Sequence, residues 1–433
     1  MYIAYREAFQ TLRANPCPRR SVIPPNRLEA SNWDLLASLV RAPGSDPRLT
    51  LGKSLRQLLG REQVFFAPSA RCAIAQVLSL LPQTEVVMPA FNCDVVKSAV
   101  EAAGKRIVYV DVAPGSVNAT AAEFAAAAQP GRILLITHQF GIPTDVEAIC
   151  ELARSRGCIT IEDAACCFGA VRNRQPLGTF ADFGIYSFES WKRLPAFRGG
   201  AIVVNNDKLI DSTKLTGKSF VETTFKMPAR ELVLAIIRNV ATVPGLYGRL
   251  VLPRLLQSYF KPAQVASAAP SGASSVTHGS AYTREFHPYQ AQLVLRMYGR
   301  MDRIRRHIAQ LVAIYTEAFQ QGEITTFLPA GCDDAGLLRF PIMVPGKSRA
   351  EVLRQALRRG LYLETEFENL LPEPAEQSRF PNAVLAGRNL ILLPLYTALS
   401  SKDAGWLAGQ LKEIAKAVPE QTSPEKNAPD SAG

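Results

Sequence analysis

Histidine is scarce in this chain: four among 433 residues. The eight cysteines, at positions 17, 72, 93, 150, 158, 166, 167 and 332, include no CxxC pair. A structural zinc site needs closely spaced Cys and His ligands, so no metal is expected. No apolar run reaches the roughly 18 residues that span a bilayer. The opening stretch, MYIAYREAFQTLRANPCPRR, has helical spacing at Tyr5, Ala8, Phe9 and Leu12 but no signal-peptide core. The expectation is therefore a cytoplasmic protein with free, mostly buried thiols rather than a secreted disulfide framework.

Acidic side chains are also in the minority. Against 49 Lys and Arg stand 38 Asp and Glu, a net charge of +11. Such an excess attracts nucleic acid, an anionic membrane surface or phosphorylated small molecules. The basic residues are dispersed and no nucleic-acid module is present, so nucleic acid is not the expected partner. An anionic substrate or a membrane surface fits better. With 47% hydrophobic and 20% charged residues, the composition is that of a globular protein long enough for two domains.

From about residue 60 to 205, strand and helix patterns alternate. TEVVM (84–88), RIVYVDV (106–112), RILLIT (132–137) and CITIED (158–163) are short apolar runs of the buried-strand type. Between them, Thr144 and Glu147 have capping-box spacing, Val146, Ile149, Cys150 and Ala153 follow at helical intervals, and Gly157 ends the pattern. Repeated β-α-β units predict an α/β fold with a mostly parallel sheet flanked by helices. Ligands of such sheets collect at the carboxyl ends of the strands.

The character changes after residue 220. Residues 226–261 carry six Lys or Arg against one acid, Glu231, amid apolar residues. That stretch reads either as an insertion covering the active site or a dimer face, or as a peripheral membrane contact. An Ala/Ser/Pro/Gly-rich loop is expected at 261–281, then a long helix from Pro288 to Phe319. A smaller C-terminal α/β unit follows, with strands near 337–344, 361–365 and 389–393 and helices near 348–359 and 402–416. The predicted organisation is an N-terminal extension (1–22), a large domain (23–295, interrupted at 222–281), a small domain (296–417) and a disordered tail (418–433).

Two residues carry the chemistry. Asp163 ends the strand CITIED, and Lys192 follows the β-prone run IYSFESW. Alone, the first reads as a strand-end carboxylate and the second as a surface lysine. Together, with Ser187 close before the lysine, they suit pyridoxal phosphate. That cofactor needs a Schiff-base lysine, a carboxylate beside its pyridine nitrogen and donors for its phosphate.

These residues lie in IEDAACCFGA and GTFADFGIYSFESWKRLPAFRGGAIVVNND. Both segments resemble the DegT-type (DegT/DnrJ/StrS) nucleotide-sugar aminotransferases, which are fold-type-I pyridoxal phosphate enzymes. The similarity extends through IPPNRLEASNWDLL (23–36), MPAFNCDVVKSAVEAAGKRIVYVDV (88–112), THQFGIPTDVEAI (137–149) and NLILLPLYTALSSKD (389–403). It implies that Lys192 forms the Schiff base, Asp163 pairs with the pyridinium and Ser187 binds phosphate. It further implies glutamate as amino donor, a keto sugar nucleotide as acceptor, a role in polysaccharide or glycoconjugate synthesis, and a homodimer.

The departures from the family pattern are as specific. The phosphate-binding helix start, usually Ser-Gly-Thr-Ala, reads Ser69, Ala70, Arg71, Cys72, with Arg71 adding charge or pointing to solvent. Cys93 stands where an aromatic ring covers the cofactor, Cys166 where glutamine lies beside it, and Thr283 where asparagine reaches the partner's phosphate. His138 reads as a packing residue rather than a proton carrier. These changes keep two alternatives open: a non-catalytic protein binding a sugar nucleotide or a partner, and a sugar dehydratase. The deoxygenating relatives carry histidine at the lysine position, so Lys192 argues against the second.

Overall fold

The computed structural model describes residues 22–40, 44–215, 226–254, 285–329, 336–367 and 370–420. Most of the expected N-terminal extension, the 261–281 loop, Thr283 and all but the start of the tail lie outside those residues.

Seven strands form the central sheet: β1 (Val64–Ala67), β2 (Glu85–Pro89), β3 (Arg106–Val110), β4 (Ile133–Thr137), β5 (Ile159–Asp163), β6 (Phe183–Ser187) and β7 (Gly200–Val204). Their order is β1-β7-β6-β5-β4-β2-β3. The pairs from β3 across to β6 are parallel, and β7 is antiparallel to both β6 and β1. Only β7 therefore runs against the others. Every residue of β4, β5, β6 and β7 is buried, as expected for strands covered on both faces by helices. The covering helices include α1 (Ala70–Leu80), α2 (Asp94–Ala102) and α3 (Val146–Ser155), and two apolar clusters fill the space between helices and sheet.

Further along lie α4 (Lys226–Ala241), α5 (Pro288–Tyr298) and α6 (Met301–Phe319). A second, antiparallel sheet contains β8 (Thr325–Thr326), β9 (Phe340–Met343) and β10 (Ile391–Leu393), with α7 (Arg349–Arg358) and α8 (Ser401–Ala417) beside it. At the start of α8, Ser400 Oγ accepts from the Asp403 N–H and donates to the Asp403 carboxylate. A cap of this kind is worth about 1 kcal/mol.

Three expectations are corrected. The helix at 146–155 lacks the predicted capping box: Thr144 Oγ donates to the Ala119 carbonyl, and Glu147 turns to Arg172 and Asn173. Partners distant in sequence outcompete the local cap. The pattern from 288 to 319 is two helices, because the chain turns at Gly299 and Arg300. Residues 361–365 form no strand; isolated bridges join Leu361 to Ile23 and Glu364 to Leu392. Side chains of that segment serve the site instead.

Candidate active site

Parallel strands bring their carboxyl ends to one edge of the sheet, and the loops leaving β1, β2, β4, β5 and β6 meet there. Between them and the segments 338–339 and 364–367 lies a cavity of about 440 Å³. Ser69, Ala70, Arg71, Cys93, Asp163, Cys166, Ser187 and Lys192 line it. Of the residues singled out in the sequence, Cys72 lies one turn into α1, where its backbone N–H donates to Ser69 Oγ at 3.2 Å. Thr283 falls outside the described residues. Arg71 is buried against the cavity, so its solvent-facing alternative is corrected.

Local backbone chemistry explains how the groups converge. Ser69 caps α1, whose first turn presents N–H groups to the cavity as any helix start does to an anion. That start lies hard against β7: a Cβ added to Gly200 would sit 2.7 Å from the Ala70 nitrogen. Glycine is required at that close approach, which is why the Gly199–Gly200 pair follows the lysine loop. The lysine itself sits in a turn, its N–H donating to the Glu189 carbonyl at 2.9 Å.

Lys192 Nζ donates to Cys166 Sγ at 3.0 Å. Burial works against its charge, but Cys166, Asp163 and Cys93 around it outweigh burial and raise its proton affinity. Asp163 is 6% exposed, and burial pushes its carboxyl above the usual range despite the Ala165 N–H, Lys192 and His138. Burial likewise pushes the Cys93 thiol up to about 11. The pair Lys192–Asp163 is thus an amine and a carboxylate in one low-dielectric pocket, each favouring the other's charge.

His138 is fully buried and committed. Its Nδ1 accepts from the Thr144 N–H at 3.1 Å, which places the proton on Nε2, 3.0 Å from Glu162 Oε1. Both nitrogens are used in structure, in keeping with the packing role read from the sequence. Cys166 and Cys167 are free thiols.

Sequence reasoning missed several lining residues. Asn92 donates to Thr137 Oγ1, and Gln139 donates to Asn92 Oδ1, so three polar groups wall the β2–β4 side. Across the cavity stand Arg339, Glu364 and Glu366, with Arg339 Nε 3.3 Å from Glu364. Burial raises the Glu366 carboxyl above its usual range. The signal was present in ETEFE: two acids two apart in an extended segment face the same side.

Residues 51–228 match the DegT/DnrJ/EryC1/StrS aminotransferase family. That match covers 178 of the 433 residues. The family's stretch contains the cavity's strands from β1 to β7, with both Asp163 and Lys192. Among curated relatives, the chain is 32% identical over 184 residues to a dTDP-4-dehydro-2,3,6-trideoxy-D-glucose 4-aminotransferase of Saccharopolyspora spinosa, covering 42% of this chain and 46% of that protein. It is 35% identical over 143 residues to a UDP-N-acetyl-3-dehydro-alpha-D-glucosamine 3-aminotransferase of Acidithiobacillus ferrooxidans, covering 33% and 38%. The match thus spans less than half the length of these relatives. In fold the likeness extends further. A putative sugar aminotransferase from Streptococcus pneumoniae in its PMP-form superposes with TM-score 0.68 at 18% identity, covering 92% of this chain and 99% of that one. The fold is therefore the fold-type-I architecture expected from the sequence, across nearly the whole chain.

Proposed function

We propose that the chain is a pyridoxal phosphate-dependent aminotransferase, taking an amino group from glutamate and giving it to a keto sugar carried on a nucleotide. The observation that carries this reading is the placement of Lys192 and Asp163 in one cavity beside the start of α1. The names of the relatives, which include dTDP- and UDP-linked keto sugars, support the substrate class. Products of this class would feed polysaccharide or glycoconjugate synthesis, and a homodimer is the expected assembly.

The donor set fits the cofactor. Lys192 offers the amine for its aldehyde carbon, Asp163 a carboxylate for its ring nitrogen, and Ser187 with the first N–H groups of α1 the donors for its phosphate. The close approach at Gly200 gives a second support, since any side chain there would push the helix start away from the sheet. When bound, the cofactor serves as the electron sink for the carbanion left as the substrate loses a proton.

The chain's own residues supply the rest. Lys192 is the only lysine lining the cavity among the described residues, and its Nζ would take a proton from substrate carbon and return it. Asp163 has to stay ionised to hold a ring proton; the Ala165 N–H and Lys192 work for that against burial. His138 is excluded as the proton carrier because both ring nitrogens are already engaged. Arg71 and Arg339 bring positive charge to an acidic substrate.

The test is an absorption spectrum of the purified chain with pyridoxal phosphate, then borohydride reduction and peptide mapping. A pyridoxyl group on Lys192, and a visible band that glutamate bleaches, are expected. No adduct despite an intact lysine overturns the proposal and favours a non-catalytic protein. Release of a keto-deoxy sugar without nitrogen transfer redirects it to a dehydratase.

A further inference from the structure

Eleven of the fifteen large apolar side chains exposed among the described residues fall in two stretches, 33–40 and 233–250. Val233, Leu234, Ile237 and Val240 lie on α4 three and four apart, which makes them one stripe. Val243, Leu246 and Leu250 continue it through the short helical turns that follow. The helix Asn32–Ala37 packs against α4 and exposes Trp33, at 68%, with Leu36, and then Leu39 and Val40 beyond its end. Isolated exposed apolar residues are ordinary; a continuous patch of this size marks a docking surface.

Charge runs along the same stretch. Arg230, Arg249 and Arg254 are exposed, and the one acid between residues 226 and 254, Glu231, lies 3.6 Å from Arg198. Val240 and Val243 also stand at the mouth of a second cavity, about 540 Å³, whose polar lining includes Arg27, Arg300, Arg303 and His307. Its acids are already engaged. Glu29 accepts from Arg193 and Thr397, and Asp34 from Ser31 and Arg300 with Arg296 beside it. The buried Nε of Arg27 has no hydrogen-bond partner, and Arg303 forms no ion pair with any described residue.

We propose that this face docks on an anionic phospholipid bilayer. The stripe and Trp33 would enter the boundary between headgroups and acyl chains, and the arginine-lined cavity would take a lipid phosphate. Basic residues around an apolar stripe complement an anionic leaflet. A second copy of the chain is the poorer occupant: a twofold contact sets the patch on itself, and among its described residues the arginines find only acids that are already engaged. The inference does not depend on the aminotransferase reading.

The experiment is co-sedimentation of the full-length chain with phosphatidylcholine vesicles, with and without phosphatidylglycerol, at low and high salt. Binding at least about tenfold tighter to the anionic vesicles, and lost at high salt, is expected. Inorganic phosphate in millimolar amounts should not displace the protein, which separates a lipid surface from a free-phosphate site. The double substitution Ile237→Asp with Leu246→Asp should abolish binding while the circular dichroism spectrum and the mass by light scattering stay unchanged. Should that variant not fold, Arg303→Glu carries the same test through weakened binding. Failure of the unaltered protein to bind anionic vesicles overturns the proposal. So does a double variant whose mass falls to that of a smaller oligomer, which would make the face a contact between copies.

Discussion

Glu162 and Asp163 are consecutive residues of β5, and their side chains leave the sheet on opposite faces. Behind the sheet, Glu162 is fully buried and saturated: it accepts from Gly178 N–H at 2.5 Å, Phe180 N–H at 3.0 Å and Ala181 N–H at 3.4 Å, with His138 Nε2 at 3.0 Å. In front, Asp163 has one backbone donor, Ala165, and faces Lys192. Same strand, same charge, opposite use. A carboxylate surrounded by fixed donors holds structure, whereas one left short of donors in a dry pocket is held ready for a partner that arrives later.

That contrast sets the order of the predicted effects. Lys192→Ala should remove the borohydride-trapped adduct and lower aminotransfer by about 10⁴-fold or more, since covalent attachment and proton transfer are lost together. Asp163→Asn should keep the fold and the adduct but reduce turnover about 100- to 1000-fold, read from single-turnover kinetics. An effect of the same size from Glu162→Gln on turnover, in a protein of unchanged stability, would erase the distinction between the two faces. Instead, Glu162→Gln should cost about 2–3 kcal/mol of stability in denaturant unfolding, because buried N–H groups lose a charged acceptor.

Smaller effects come from the thiols. With its thiol pushed up to about 11, Cys93 stays protonated at neutral pH. Its alkylation by iodoacetamide should be slow there and quicken as pH rises toward that value, measured by mass spectrometry of the labelled peptide. Cys166→Gln, which puts an amide where the thiol meets Lys192, should change turnover by less than about tenfold, since the hydrogen-bonding partner of the amine is replaced rather than lost.

The sheet was legible because its strands are short, mostly apolar runs separated by helix-length segments; observed boundaries from β2 to β5 differ from the sequence reading by one or two residues at most. Lys192, Asp163 and Ser187 were legible through motif order, which is local in sequence. Glu366 and Arg339 were not, because what brings them to the cavity is the packing of the C-terminal segment over the sheet edge, 170 or more residues away from Lys192 in the case of Glu366. The Thr144 capping box misled for the same reason. A local rule proposed a partner at three residues' distance, and tertiary packing supplied a better one at Ala119.

Arg193, next to the lysine, is 3% exposed and reaches in three directions: to Glu29, to the Leu395 carbonyl and to the Leu337 carbonyl. Those carbonyls flank β9 and β10 of the smaller sheet, so the peptide carrying Lys192 is tethered to it by one guanidinium. A shift of the smaller sheet would therefore pull on the backbone beside Lys192 through that side chain.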